Sequence, residues 1–251
     1  MSTDGAGRAD HLIIGWLYPD LMNIYGDRGN ILTLVSRARW RGIDVEVRPT
    51  GLGPVVGLED ANLLFFGGGQ DREQELVFAD LEAHKTALLQ DALGRDVPVL
   101  AVCGGYQLVG HYYETADGTK LPGLGLLDIS TDAGESRAIG DIVLEADPEL
   151  GLEPSTLVGF ENHSGRTHLG PGARPLGRVR AGHGNNGKDG TEGARQGSLI
   201  GTYLHGSLLP KNPHLADHVL SRALGGPLAP LDDDLELAAH RRVTERTLAR
   251  A

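Results

Sequence analysis

The chain has 251 residues, 40% of them hydrophobic, which suffices for one large α/β domain with a sizeable core. Its 34 Asp and Glu outnumber 23 Lys and Arg to give a net charge of −11, which argues against a phosphate-backbone partner, so no nucleic acid is expected. One cysteine excludes an internal disulfide, the N-terminus lacks the basic and apolar regions of a signal peptide, and no segment approaches the roughly 20 apolar residues that span a bilayer; a cytoplasmic protein without membrane insertion is expected.

Strands alternate with helices along the chain. Residues 11–18 read as a first strand, and residues 30–41 as a helix with Ile31, Leu34, Val35 and Ala38 on one face and Gly42 as its stop. Ile43, Val45 and Val47 alternate as a strand. The apolar run Leu63, Leu64, Phe65, Phe66 ends in Gly67, Gly68 and Gly69, the pattern of a central parallel strand running into a site loop. Residues 73–93 read as one helix. Residues 97–102 form an apolar strand ending on Cys103, and a helical stretch carrying Leu108, Val109 and Tyr112 follows. Asp117-Gly118 is a hairpin signal, and residues 140–205 read as short strands separated by Gly and Pro. Residues 211–223 and 232–250 return to helical periodicity. The organisation predicted is a single domain over residues 1–251, with residues 1–10 disordered and residues 225–251 a C-terminal helical extension.

Cys103-Gly104-Gly105-Tyr106-Gln107 places the chain's only cysteine on a tight strand-to-helix turn. Such an elbow lifts a thiol clear of the sheet, lets the N–H of Gly104 face a developing oxyanion, and favours thiolate through the following helix start. A cysteine nucleophile needs a base of near-neutral pKa. His205 supplies one at the end of the apolar run Ser198 to Leu204, with His163 in Glu161-Asn162-His163-Ser164 as its competitor. The glycine-rich residues 182–190 read as a mobile surface loop that could line the site mouth. No phosphate-cradling Gly-x-x-x-x-Gly-Lys-Ser/Thr occurs, since Gly187-Lys188 is followed by Asp189.

Gly67-Gly68-Gly69, the Cys103 turn with its Gln107, and Tyr203-Leu204-His205-Gly206 together resemble class I glutamine amidotransferases, and His205-Gly206 resembles their cobyric acid synthase branch. Gly68-Gly69-Gln70-Asp71-Arg72-Glu73-Gln74, Gly159-Phe160-Glu161-Asn162-His163, Gly184-Asn185-Asn186 and Leu209-Pro210-Lys211-Asn212 are similar to the GatD-type glutaminase subunits of lipid II isoglutaminyl synthases. The likeness runs from about Trp16 to about Leu220.

The resemblance implies an α/β, flavodoxin-like class I glutamine amidotransferase fold, a central mostly parallel sheet with flanking helices. It implies Cys103 as nucleophile on L-glutamine, His205 as its base, backbone N–H groups of Gly68 and Gly104 as the oxyanion hole, and Arg137 and Gln107 as substrate-binding residues, Arg137 on the α-carboxylate. It further implies a heterodimer with a MurT-like synthetase of the Mur ligase family, through which lipid II is reached. No cofactor or metal is expected in this chain; ATP and Mg belong to the partner. Ser207 stands where many such enzymes carry the carboxylate that orients the histidine, so the site is either a Cys103/His205 dyad or takes its third group from elsewhere, with Glu161 and Asp141 both candidates. A glutaminase serving a corrinoid or nucleotide pathway, and a non-catalytic regulatory subunit of the same fold, remain as alternatives.

Overall fold

The computed structural model describes residues 11–251, apart from Ala116, Ser207 and the side chains of Tyr25 and Asp71. The expectations for residues 1–10 and for Ser207 therefore lie outside the described residues.

Six strands build the central sheet: β1 (His11–Leu17), β2 (Asp44–Thr50), β3 (Leu63–Phe66), β4 (Val99–Val102), β13 (Ala194–Gln196) and β14 (Leu199–Thr202). Their order is β13-β14-β4-β3-β1-β2, and every neighbouring pair is parallel except the β13–β14 hairpin. Read from the far edge, the first five strands follow the flavodoxin-like doubly wound order. β3, β4 and β14 are buried along their whole length, which is why none alternates apolar with exposed polar residues. The helices are α1 (Arg28–Arg39), α2 (Asp71–Asp80), α3 (Thr86–Gly94), α4 (Gly104–Leu108), α5 (Leu208–Lys211), α6 (Pro213–Ala223) and α7 (Asp234–Leu248).

Two smaller sheets are built from the chain between Cys103 and β13. β5 (Tyr112–Glu114), β6 (Lys120–Pro122), β7 (Ile129–Asp132) and β10 (Arg166–Leu169) form one; β8 (Ala138–Ala146), β9 (Thr156–His163), β11 (Gly177–Ala181) and β12 (Thr191–Glu192) form the other. α7 packs across β8, β9 and β11. Its attachment includes a bond between Thr156 Oγ1 and His240 Nε2 at 2.9 Å. Arg37, on α1, is buried and fork-bonded to Asp217 and Asp233, which ties the segment entering α7 to the core.

Two expected helices differ. The helix read over residues 73–93 is interrupted by a π turn, Leu81–Lys85, where buried Lys85 turns in to pair with Asp80 and to donate to Gly53 O. The helix after Cys103 stops at Leu108, and Tyr112 pairs with Pro122 in a strand instead.

Candidate active site

The carboxyl ends of β3, β4 and β14 converge, and this is where open parallel sheets bind ligands. β4 ends at Cys103, whose backbone turns left-handed at φ 52° and ψ −105°, a strained conformation for a residue with a side chain. The strain is held by the Cys103 N–H, which donates to Thr202 O at 2.8 Å, and by α4, which begins immediately after. The sequence reading of an elbow at Cys103 corresponds to this geometry. Gly104 is the first helical residue, so its N–H is among those a helix leaves without an internal acceptor.

β14 leads into His205, which is fully buried. Its backbone is clamped from outside the central sheet: His205 N donates to Phe160 O at 2.8 Å and Phe160 N to His205 O at 3.3 Å. A Cβ placed on Gly68 would stand 3.1 Å from His205 Cε1 and 3.2 Å from Cys103 Cβ. A side chain there would press on both, so the loop after β3 packs closely against Cys103 and His205.

Glu161 and Asp141 both have partners away from His205. Glu161 is buried but accepts from His183 N at 2.7 Å and Gly184 N at 2.9 Å, so it anchors the loop of residues 182–184. Asp141 faces Arg246 of α7 at 3.2 Å. Asp27, fully buried, instead lies with Oδ1 3.9 Å from His205 Nδ1. It occupies the cap position of α1, yet its side chain makes no cap bond; Oδ2 accepts the N–H of Gly68 at 2.7 Å. The Gly68 amide, expected in the oxyanion hole, is thus engaged in holding Asp27. The Gly69 nitrogen lies closer to α4, 3.0 Å from where a Cβ on Gly104 would stand.

Burial alone would lower the pKa of His205. The negative charge of a Cys103 thiolate and the Asp27 carboxylate outweigh it and push the value up to about 10. His163 is different. It is buried, stacked on Tyr203 with ring centroids 3.6 Å apart, and donates from Nδ1 to Gly165 O at 2.9 Å. Burial lowers its pKa, which keeps it neutral, and it forms part of the cavity wall.

Cys103 opens into a cavity of about 440 Å³ whose walls include Gln107, Arg137 and His163. Gln107 is almost fully buried; its Nε2 donates to Tyr203 OH at 3.1 Å and its Oε1 accepts from Gln74 Nε2 at 3.2 Å, so it is fixed from both ends. Arg137 is exposed on the rim, where Asn162 on β9 orients it through two bonds of 3.0 and 3.1 Å. Residues 182–190 do not line this cavity; Glu161 and Asn186, the latter donating to Thr167 O, pin them elsewhere. Among the described residues no group of three His, Cys, Asp or Glu stands where it could hold a metal, and no helix is long and apolar enough to cross a membrane.

Residues 13–213 match the CobB/CobQ-like glutamine amidotransferase domain. The chain belongs to that family. Within it, the GatD subunit of lipid II isoglutaminyl synthase (glutamine-hydrolyzing) from Staphylococcus aureus is 42% identical over 90% of this chain and 92% of its own length. The same subunit from Streptococcus pneumoniae is 38% identical over 95% of this chain and 89% of its own length. A cobyric acid synthase from Pelotomaculum thermopropionicum is more distant, 34% identical over 59% of this chain and only 30% of that longer protein. Among solved structures, a glutamine amidotransferase of Thermotoga maritima (TM-score 0.55, 18% identity, 95% of this chain and 98% of its own) shares the fold. So does the glutaminase domain of Trypanosoma brucei CTPS with bound acivicin (TM-score 0.57, 11% identity, 87% of this chain and 96% of its own). As a family member the chain carries the flavodoxin-like glutamine amidotransferase fold expected of it, and Asp27 is the carboxylate beside His205 that the sequence reading did not single out.

Proposed function

We propose that this chain is the glutaminase subunit of a lipid II isoglutaminyl synthase, hydrolysing L-glutamine to glutamate and ammonia. The observation that carries the chemistry is the strained Cys103 at the end of β4 beside a buried, cation-favouring His205. The Cys103 thiolate attacks the side-chain amide carbon of glutamine. The N–H of Gly104, with that of Gly69 in place of Gly68, receives the oxyanion, and imidazolium His205 gives its proton to the departing ammonia. Neutral His205 then takes a proton from water as it attacks the thioester, releasing glutamate and restoring the ion pair. Arg137 holds the α-carboxylate, and Gln107 shapes the cavity floor.

The S. aureus and S. pneumoniae relatives are named as subunits, so a partner is part of the reading. That partner is a MurT-like synthetase of the Mur ligase family, which binds ATP and Mg and amidates the D-glutamate α-carboxylate of lipid II to D-isoglutamine in the cytoplasm. The absence of a phosphate-cradling loop from this sequence favours that division of labour. The test is reconstitution with the synthetase, ATP and lipid II. Glutamine-dependent amidation is expected, lost on Cys103→Ala and restored by ammonium salt. Failure of ammonium to restore it while the complex assembles would overturn the division.

A further inference from the structure

Glutamine is a zwitterion at the end remote from its amide, and a site that selects it must neutralise both charges. Arg137 provides for the carboxylate. The cavity holds a second guanidinium, Arg72, and the start of α2 adds positive potential, so its electrostatics favour an anion and oppose an ammonium. One carboxylate lines the described part of the wall: Glu73.

Glu73 is unusual in another respect. Its Oε2 is shielded from water and has no hydrogen-bond partner, as is Oε1 of the adjacent Gln74, a side chain only 3% exposed. Buried acceptors without donors are costly, and a neighbouring pair in a ligand cavity signals donors that arrive with the ligand. The Gln74 amide cannot turn away freely, because its Nε2 donates to Gly69 O at 3.1 Å and to Gln107 Oε1 at 3.2 Å. An ammonium offers three donors and no acceptor, the complement of this pair. We infer that Glu73, supported by Gln74 Oε1, receives the α-ammonium of glutamine and makes the site specific for an α-amino acid over a plain ω-amide.

This rests on the glutaminase reading, and the experiment separates the two. The complex reconstituted with its synthetase is assayed on L-glutamine and on glutaramate, which keeps the amide and the carboxylate but lacks the amino group. For Glu73→Gln the expected result is a fall in kcat/KM on glutamine of about 10- to 100-fold, the scale of one charge-assisted hydrogen bond, mostly through KM. Turnover of glutaramate stays within about twofold, so the preference for glutamine collapses. Glu73→Asp restores part of it. An equal loss on both substrates makes Glu73 structural and overturns the inference, as does an undiminished preference. Hydrolysis of neither substrate by the unmodified complex overturns the glutaminase reading itself.

Discussion

Replacing Asp27 by Asn tests whether a carboxylate from the start of α1 charges His205, the proposed acid–base. Asn keeps the volume and an oxygen for the Gly68 N–H while removing the charge. Two unit charges 3.9 Å apart at an effective dielectric near 20 attract by about 4 kcal/mol. At about 1.4 kcal/mol per pKa unit that is as much as about three units of the upward shift at His205. The sign follows from the direction of the shift. The imidazolium is present below the raised pKa of about 10 and is lost as pH rises through it. Without Asp27 the proton leaves at lower pH. The alkaline limb of kcat/KM for glutamine hydrolysis is therefore expected to move down by one to three units in the variant, roughly following that energy, with kcat at pH 8 falling by up to about tenfold at the upper end of that range. Thermal unfolding measured on the same preparations separates this from a folding defect. An unmoved alkaline limb, with kcat within about twofold of the parent, would refute the assignment.

Cys103→Ala should abolish glutamate release while leaving the circular dichroism spectrum unchanged, and any retained hydrolysis at the parent rate would remove Cys103 from the mechanism. His205→Ala should lower kcat by about 10²- to 10⁴-fold, the worth of a positioned acid–base, whereas His163→Ala should cost under tenfold because its ring is neutral and stacked on Tyr203; the opposite ranking would reassign the base. Arg137→Ala should raise KM for glutamine about tenfold with little change in kcat, since an exposed rim guanidinium binds ground and transition states alike; an unaltered KM would make it an ordinary surface charge. Arg37→Met leaves Asp233 without its guanidinium while Asp217 keeps Arg41, and should lower unfolding free energy by about 1–3 kcal/mol in chemical denaturation, with residual activity per folded molecule unaffected.

The parts of the fold legible in the sequence were those dictated by burial. Leu63–Phe66 announces a strand covered on both faces, and the glycines after it announce a tight approach, because each property is local. Helix continuity was legible only until a tertiary partner intervened: residues 81–85 carry no Gly or Pro, and the π turn accompanies the buried pairing of Lys85 with Asp80, at the end of α2. The meeting of Cys103 and His205 was readable from strand ends. The carboxylate beside His205 was not, since Asp27 looks like a common helix cap, and only the absence of a cap bond in three dimensions reveals that it lies elsewhere. Glu161 misled for the converse reason. It sits in a motif with His163, but its oxygens are occupied by the amides of His183 and Gly184.

The left-handed backbone at Cys103 also bears on descent. For a residue with a Cβ that conformation costs about 1–2 kcal/mol, and glycine adopts it without penalty. Folding and turnover therefore pull this position in opposite directions: the scaffold gains from glycine, and only the demand for a thiol opposes it. A lineage that ceased to hydrolyse glutamine while keeping the scaffold would be free to drift toward glycine there, becoming more stable as it fell silent. A cysteine held in that backbone is in this sense a running record of use.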